Sequence, residues 1–174
     1  TRQIVIELLA LVIGVAAAMA TPLPLCIWVA SLGWLLLTLA ILDLEHFWLP
    51  DKLVLVVLIS GIAQAALLDP TTVAERLIGC GAGFAMLEAI RRAYAVLRKR
   101  EGMGAGDPKM LAAIGAWAGW QQLPFVLLGA CLIGLTWVGG SHLFGKRINP
   151  AAPLPFGTML AVAGFAATLI ALQG

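Results

Sequence analysis

Seven stretches of nearly unbroken apolar sequence, about 4–20, 25–42, 53–68, 77–97, 109–120, 125–143 and 156–173, set the terms on which this chain can fold. A bilayer-crossing helix uses roughly 20 residues, within a range near 17–25. The third and fifth stretches are short by that measure, so they borrow flanking residues or sit beside thinned or protein-filled regions. Inside lipid every backbone polar group needs an internal partner, which demands helices or a closed barrel. No stretch alternates apolar and polar with period two, which argues against the barrel. Hydrophobic residues make up 61% of the chain and charged residues only 11%, against about 25% charged in soluble domains; the mean hydropathy is +1.00. The expectation is an all-α polytopic transmembrane bundle, one domain over residues 1–174 with about seven spans.

The connections are short and turn-like: Thr21-Pro22-Leu23-Pro24, Leu49-Pro50-Asp51-Lys52, Asp69-Pro70-Thr71-Thr72, Gln121 to Pro124, and Pro150 to Pro155. Thr71 or Thr72 is placed to cap the fourth helix. Seven alternating spans put Arg2, Lys52, Arg91, Arg92, Arg98, Lys99, Arg100, Lys109, Lys146 and Arg147 on one side and only Arg76 on the other. The excess of basic residues assigns the first side to the cytoplasm. A net charge of only +2 gives no ground for a nucleic-acid partner. Cys26, Cys80 and Cys131 are far apart with no CxxC pair, which points to buried structural thiols rather than a zinc or disulfide framework. The clusters Gly79-Cys80-Gly81-Ala82-Gly83 and Gly115-Ala116-Trp117-Ala118-Gly119 suit close helix packing, or a hinge that admits a substrate helix. The start at Thr1 suits a fragment or a processed chain.

Two acidic residues fall at the cytoplasmic edge in this topology. Asp43 closes the second stretch in Ala40-Ile41-Leu42-Asp43-Leu44-Glu45-His46, and Asp107 lies 64 positions later in Gly104-Ala105-Gly106-Asp107-Pro108-Lys109. An ionisable group at membrane depth is a candidate for function because it is costly there. Peptide hydrolysis needs a base to activate water and an acid to protonate the leaving group. Two neighbouring carboxylates cannot both ionise easily, so a pair can fill both roles. Asp43 near a helix C-terminus faces a macrodipole that disfavours its anion, whereas Asp107 before Pro108 is placed to cap the next helix as an anion. Asp43 is therefore the expected holder of the proton. Gly104 and Gly106 allow positive φ and the close passage of another backbone. The bland alternatives are a helix cap at Asp107 and, at Asp43, a loop carboxylate paired with Lys52 or an arginine.

These motifs resemble a family. Gly104-Ala105-Gly106-Asp107-Pro108-Lys109, continuing to Trp120, is similar to the GxGD region of bacterial type IV prepilin peptidases. Asp43, seven positions before Pro50 of Leu49-Pro50-Asp51, resembles that family's first catalytic motif, and Pro155-Phe156-Gly157 a third element. The resemblance implies a GxGD intramembrane protease-like bundle in the bacterial inner membrane. Its dyad is Asp43 and Asp107, and its active-site loop contains Gly104, Gly106, Pro108 and Lys109. Pro50, Asp51, Pro155, Phe156 and Gly157 are structural or substrate contacts, with Asp51 a helix cap. The substrates so implied are prepilins or type II secretion pseudopilins, whose short basic leader is cut after Gly on the cytoplasmic side. Proteolysis needs no metal or cofactor on this reading. Zinc and S-adenosylmethionine belong to a CxxC-bearing N-terminal region absent from this sequence, so methyl transfer is open, as is oligomeric state.

Weaker candidates complete the picture. His46 and His142 are interfacial polar residues. Glu88 pairs with Arg91 or Arg92 along one helix, or touches substrate. Arg98-Lys99-Arg100 anchors at lipid headgroups. Glu45, Asp51 and Glu101 could attract a basic leader, and Trp48 and Trp120 fit an aromatic belt. Two rival classes stand beside the protease: a transporter or channel subunit passing ions or protons along Asp43, Glu88 and Asp107, and an inactive scaffold of the secretion machinery.

Overall fold

The computed structural model of the chain describes residues 2–99, 102–143 and 154–172. Among these the elements are α1 (Arg2–Ala20), α2 (Leu25–His46), α3 (Asp51–Leu68), α4 (Val73–Arg98), α5 (Asp107–Ala118), α6 (Leu123–Leu143) and α7 (Phe156–Ala171), with 3-10 turns at Pro70–Thr72 and Trp120–Gln122. Proline sets most of the helix starts, because its fixed φ suits a first turn whose N–H groups have no helical partner. Pro24, Pro50 and Pro155 stand immediately before α2, α3 and α7, and Pro108 is the second residue of α5. Thr72 stands at the N-cap of α4, as expected, but makes no side-chain capping bond, and the turn before it is organised by Asp69. Its carboxylate accepts from the Thr71 hydroxyl at 2.5 Å and the Thr71 N–H at 3.3 Å, and the Thr72 hydroxyl donates to the Asp69 carbonyl.

Among the described residues four helical stretches are long and apolar enough to cross a bilayer: Arg2–Ala20, Leu25–His46, Asp51–Leu68 and Trp120–Ser141. α7 is apolar but shorter, at 16 residues. α4 is 26 residues long and ends in a basic segment containing Arg91, Arg92 and Arg98. α5 has 12 residues, a rise of about 18 Å, against a hydrocarbon core of about 30 Å. Its shortness is explained by its surroundings: every residue except Lys109 is buried, against α3, α4 and α7. Large apolar side chains such as Leu11, Ile59, Leu97 and Leu135 point outward, as lipid-facing residues do.

Small residues let α4 and α5 touch backbone to backbone. A Cβ on Gly115 would lie 2.3 Å from the Gly79 carbonyl oxygen, and one on Gly83 would lie 2.8 Å from that of Leu111. Gly119 ends α5 at φ +80°, a conformation that favours glycine. Trp117, fully buried, lies against Gly61 and donates its indole N–H to the Val57 carbonyl at 2.8 Å, which ties α5 to α3. The close-packing reading of these glycines therefore holds for Gly79, Gly83 and Gly115, but Gly81 faces open space. The thiols depart from expectation: Cys26, packed beside Ala17, Val29 and Ala30, and Cys80, on the wall between α4 and α5, are half-buried, and Cys131 is exposed.

Contacts between helix ends agree with the charge-based topology. Arg2 at the start of α1 meets Glu45 at the end of α2, and Lys109 at the start of α5 meets Asp51 at the start of α3. Arg76, the basic residue of the opposite side, is buried near the start of α4. Arg100, Glu101, Lys146, Arg147 and Pro150 lie outside the described residues.

Candidate active site

Asp43 occupies the last turn of α2. That helix stops because Phe47 turns into the left-handed region, φ 50°, with its N–H donating to the Asp43 carbonyl at 3.0 Å. The stop aims the Asp43 side chain across the bundle at the first turn of α7. There the Thr158 N–H donates to Asp43 Oδ2 at 2.7 Å. The Thr158 hydroxyl lies 3.2 Å from the same oxygen and 3.0 Å from the Ala40 carbonyl. Gly157 permits this approach: a Cβ there would sit 3.0 Å from the Asp43 carboxylate and 3.0 Å from Leu49 Cδ1.

Asp107 is the first residue of α5, ahead of the apolar segment and so at the membrane edge. Its carboxylate turns back into its own loop and accepts the Gly104 N–H at 3.1 Å. It makes no capping bond to α5, contrary to the expectation of a cap. Gly104 and Gly106 do not use positive φ; among the described residues Gly119 is the glycine that does. They matter for closeness instead. A Cβ on Gly106 would fall 2.9 Å from Leu49 Cβ, and one on Gly104 would fall 3.4 Å from Asp107 Oδ2. The buried Leu49 side chain thus reaches both the glycine loop of Asp107 and the α7 start that holds Asp43.

Both carboxylates are shielded from water, Asp43 at 5% and Asp107 at 4% exposure, and each lies within electrostatic reach of the other. Burial first, and the Asp43 charge second, push the Asp107 carboxyl up to about 7, while the Gly104 N–H works in the opposite direction. Burial and the neighbouring charge thus favour the protonated form of Asp107, whereas the sequence reading puts the proton on Asp43. The α2 C-terminus does disfavour an anion at Asp43, but the α7 N-terminus faces it and supplies a direct N–H donor. Sequence spacing could not show a helix end 115 residues away.

The other expected site residues take clear places. Pro50 precedes α3 and Pro108 opens α5. Asp51 does not cap α3 but accepts from Lys109 Nζ at 2.7 and 2.8 Å. Glu45 is engaged by Arg2, so neither Glu45 nor Asp51 presents a free carboxylate to a basic leader. Pro155 and Phe156 start α7, with Phe156 packed against the core. Glu88 accepts from Arg91 and Arg92 on its own helix, the along-helix pairing expected of it. His46, largely exposed, lies 3.9 Å from Glu45, consistent with an interfacial residue. Trp48 and Trp120 are exposed, as a belt requires. Thr158 and Leu49 were not singled out from sequence; their signal was adjacency to Gly157 and Pro50. Among the described residues no three His, Cys, Asp or Glu side chains gather as a metal site, and the three cysteines lie on α2, α4 and α6, so these residues do not fit a zinc centre.

A groove of about 420 Å³ lies between α3, α4 and α5. Val54, Leu58, Phe84 and Ala112 line it, Gly81 is at its wall, and the Asp51–Lys109 pair stands at one end. Lys109 follows Asp107 by two residues on α5 and marks the end of the groove, while the two aspartates themselves do not line it.

Comparison with known proteins places these residues in context. The model of the type IV leader peptidase family matches residues 29–139, which include both aspartates and the glycine loop. The chain is 38% identical over 169 residues to a prepilin leader peptidase/N-methyltransferase of Aeromonas hydrophila, covering 97% of this chain and 58% of that protein. It is 34% identical over 173 residues to the protein of the same name in Dichelobacter nodosus, covering 99% and 59%. A third protein of that name, in Burkholderia pseudomallei, is 40% identical over 134 residues, covering 77% and 43%. The chain thus spans less than three-fifths of the length of these relatives. No solved structure matches it. With a family model matched over well over half its length, the chain belongs to the type IV leader peptidase family.

Proposed function

We propose that this chain is a membrane-embedded aspartyl endopeptidase that removes the leader from type IV prepilins or type II secretion pseudopilins, cutting after Gly. The observation that carries the proposal is the convergence of two buried carboxylates from α2 and α5, where burial and the neighbouring charge push the Asp107 carboxyl up to about 7. Asp43, held by Thr158, is the base that polarises a water for attack on the scissile carbonyl. Asp107 is the acid that protonates the departing amine. Two carboxylates and a water suffice, with no cofactor for proteolysis. The basic ends of α1, α3, α4 and α5 support an inner-membrane protein whose dyad faces the cytoplasm. The leader is then read from the side on which the substrate is made.

The apolar segment of the substrate lies in the groove between α3, α4 and α5, whose lining is mostly apolar and includes Lys109. An extended stretch around the scissile bond passes the glycine loop at 104–106. The test is incubation of the chain in liposomes with a prepilin, in water enriched in ¹⁸O. Cleavage on the carboxyl side of the leader Gly, with one ¹⁸O in the leader's new carboxylate, is expected. Absence of cleavage, or cutting at scattered sites, would count against the reading.

A further inference from the structure

The contact between α7 and Asp43 has a chemical consequence that the pairing of the aspartates does not itself contain. Thr158 is the third residue of α7, so its N–H belongs to the first turn and has no intrahelical carbonyl to meet. That N–H points at Asp43 Oδ2 at 2.7 Å, and the hydroxyl of the same residue sits 3.2 Å from the same oxygen. The hydroxyl is also 3.0 Å from the Ala40 carbonyl, one turn before Asp43, so the side chain clamps the last turn of α2 whichever oxygen takes its proton. Gly157, with no Cβ, is what lets the turn come this close.

We infer that Thr158 is a positioning residue that selects Asp43 as the ionised member of the pair and so divides the base and acid roles between Asp43 and Asp107. Donors aimed at one carboxylate favour its anion. Asp107 also accepts an N–H, from Gly104, but at 3.1 Å and from an exposed loop rather than from a helix terminus. The charged groups on the elements around Asp43 do not account for the selection. On α1, Arg2 is paired with Glu45 and Glu7 is exposed; on α2 itself Glu45 is taken and His46 is exposed. At the start of α3, Asp51 is paired with Lys109 of α5 and Lys52 is exposed. α7 carries no charged residue, and Asp107 is a like charge. Thr158 supplies the asymmetry.

This inference rests on the protease reading only for its catalytic meaning, and its test does not require activity. The chain, labelled with ¹³C at the aspartate side-chain carboxyls, is titrated by NMR in detergent micelles, with the two signals assigned through D43N and D107N. In the parent, Asp43 is expected to ionise at lower pH than Asp107. T158P removes both donors at a first-turn position where proline is tolerated; the Asp43 step should move up by roughly one pH unit or more. T158V, which keeps the N–H, should move it less, and T158S, which keeps both donors, should titrate with the parent. Ionisation of Asp107 first, or an Asp43 step that stays put in both T158P and T158V, would overturn the inference. A titration that behaves as expected in a chain that does not cut prepilin would leave the inference standing and count against the protease reading instead.

Discussion

Replacing Gly157 by Ala tests how closely the site is built. The added methyl would lie 3.0 Å from the Asp43 carboxylate and 3.0 Å from Leu49 Cδ1. Comfortable separations are about 3.5–4.0 Å, so the two side chains or α7 itself must move by roughly half an ångström to one ångström. Ala gains about 1 kcal/mol over Gly within a helix, and overpacking costs about 1–3 kcal/mol. The net effect on stability is a loss of no more than about 2 kcal/mol. Catalysis is far more sensitive, because a displacement of about 1 Å at a reacting group costs on the order of 10²-fold. The Asp43–Thr158 contact, 2.7 Å long, lies in the path of the displacement. The expected result is a kcat for prepilin cleavage lowered about 10- to 100-fold, with KM changed little and a thermal midpoint within several degrees of the parent. A kcat within twofold of the parent would show that Asp43 is not held by the α7 contact as described.

Three further outcomes follow from the same geometry. Because Asp107 must hold a proton to serve as the acid and its carboxyl lies at about 7, kcat/KM should fall about tenfold per unit above a midpoint near pH 7, as a pH–rate series in constant ionic strength would show. Gly115→Ala places a Cβ 2.3 Å from the Gly79 carbonyl; α4 and α5 must separate, at a cost of about 2–4 kcal/mol, read by denaturant unfolding in detergent. Gly81→Phe has open space around its Cβ and stands on the wall of the groove, so it should leave thermal stability unchanged while raising KM for prepilin several-fold.

Much of the architecture is legible in the sequence because lipid leaves so few choices. Apolar stretches bounded by Pro22–Pro24, Pro50, Pro108 and Pro155 read directly as helices with fixed starts, and the basic residues give their direction. The two aspartates are legible because a carboxyl is rare in such a sequence and because the glycine motif accompanies one of them. What stays hidden is which groups meet across the bundle. Asp51 looks like a helix cap beside Pro50, but Lys109, 58 residues away, claims it. Asp43 looks electrostatically disfavoured at a helix C-terminus until the start of α7 is brought against it. The shortness of the fifth stretch left borrowed residues, thinned bilayer and protein-filled surroundings open, and the enclosure of α5 by α3, α4 and α7 selects the last. Thr158 carries no mark in sequence beyond its place after Gly157, and its role exists only in the contact.

The most direct measurement of the central claim is prepilin cleavage by the reconstituted chain beside D43N and D107N, with circular dichroism confirming that both variants stay helical. Asparagine keeps the shape of each side chain and removes its acid–base capacity. The account predicts cleavage by the parent and a loss of at least about 10³-fold in either variant, since neither base nor acid can be spared. Cleavage by either folded variant at a rate near that of the parent would contradict the assignment of Asp43 and Asp107 as the catalytic pair.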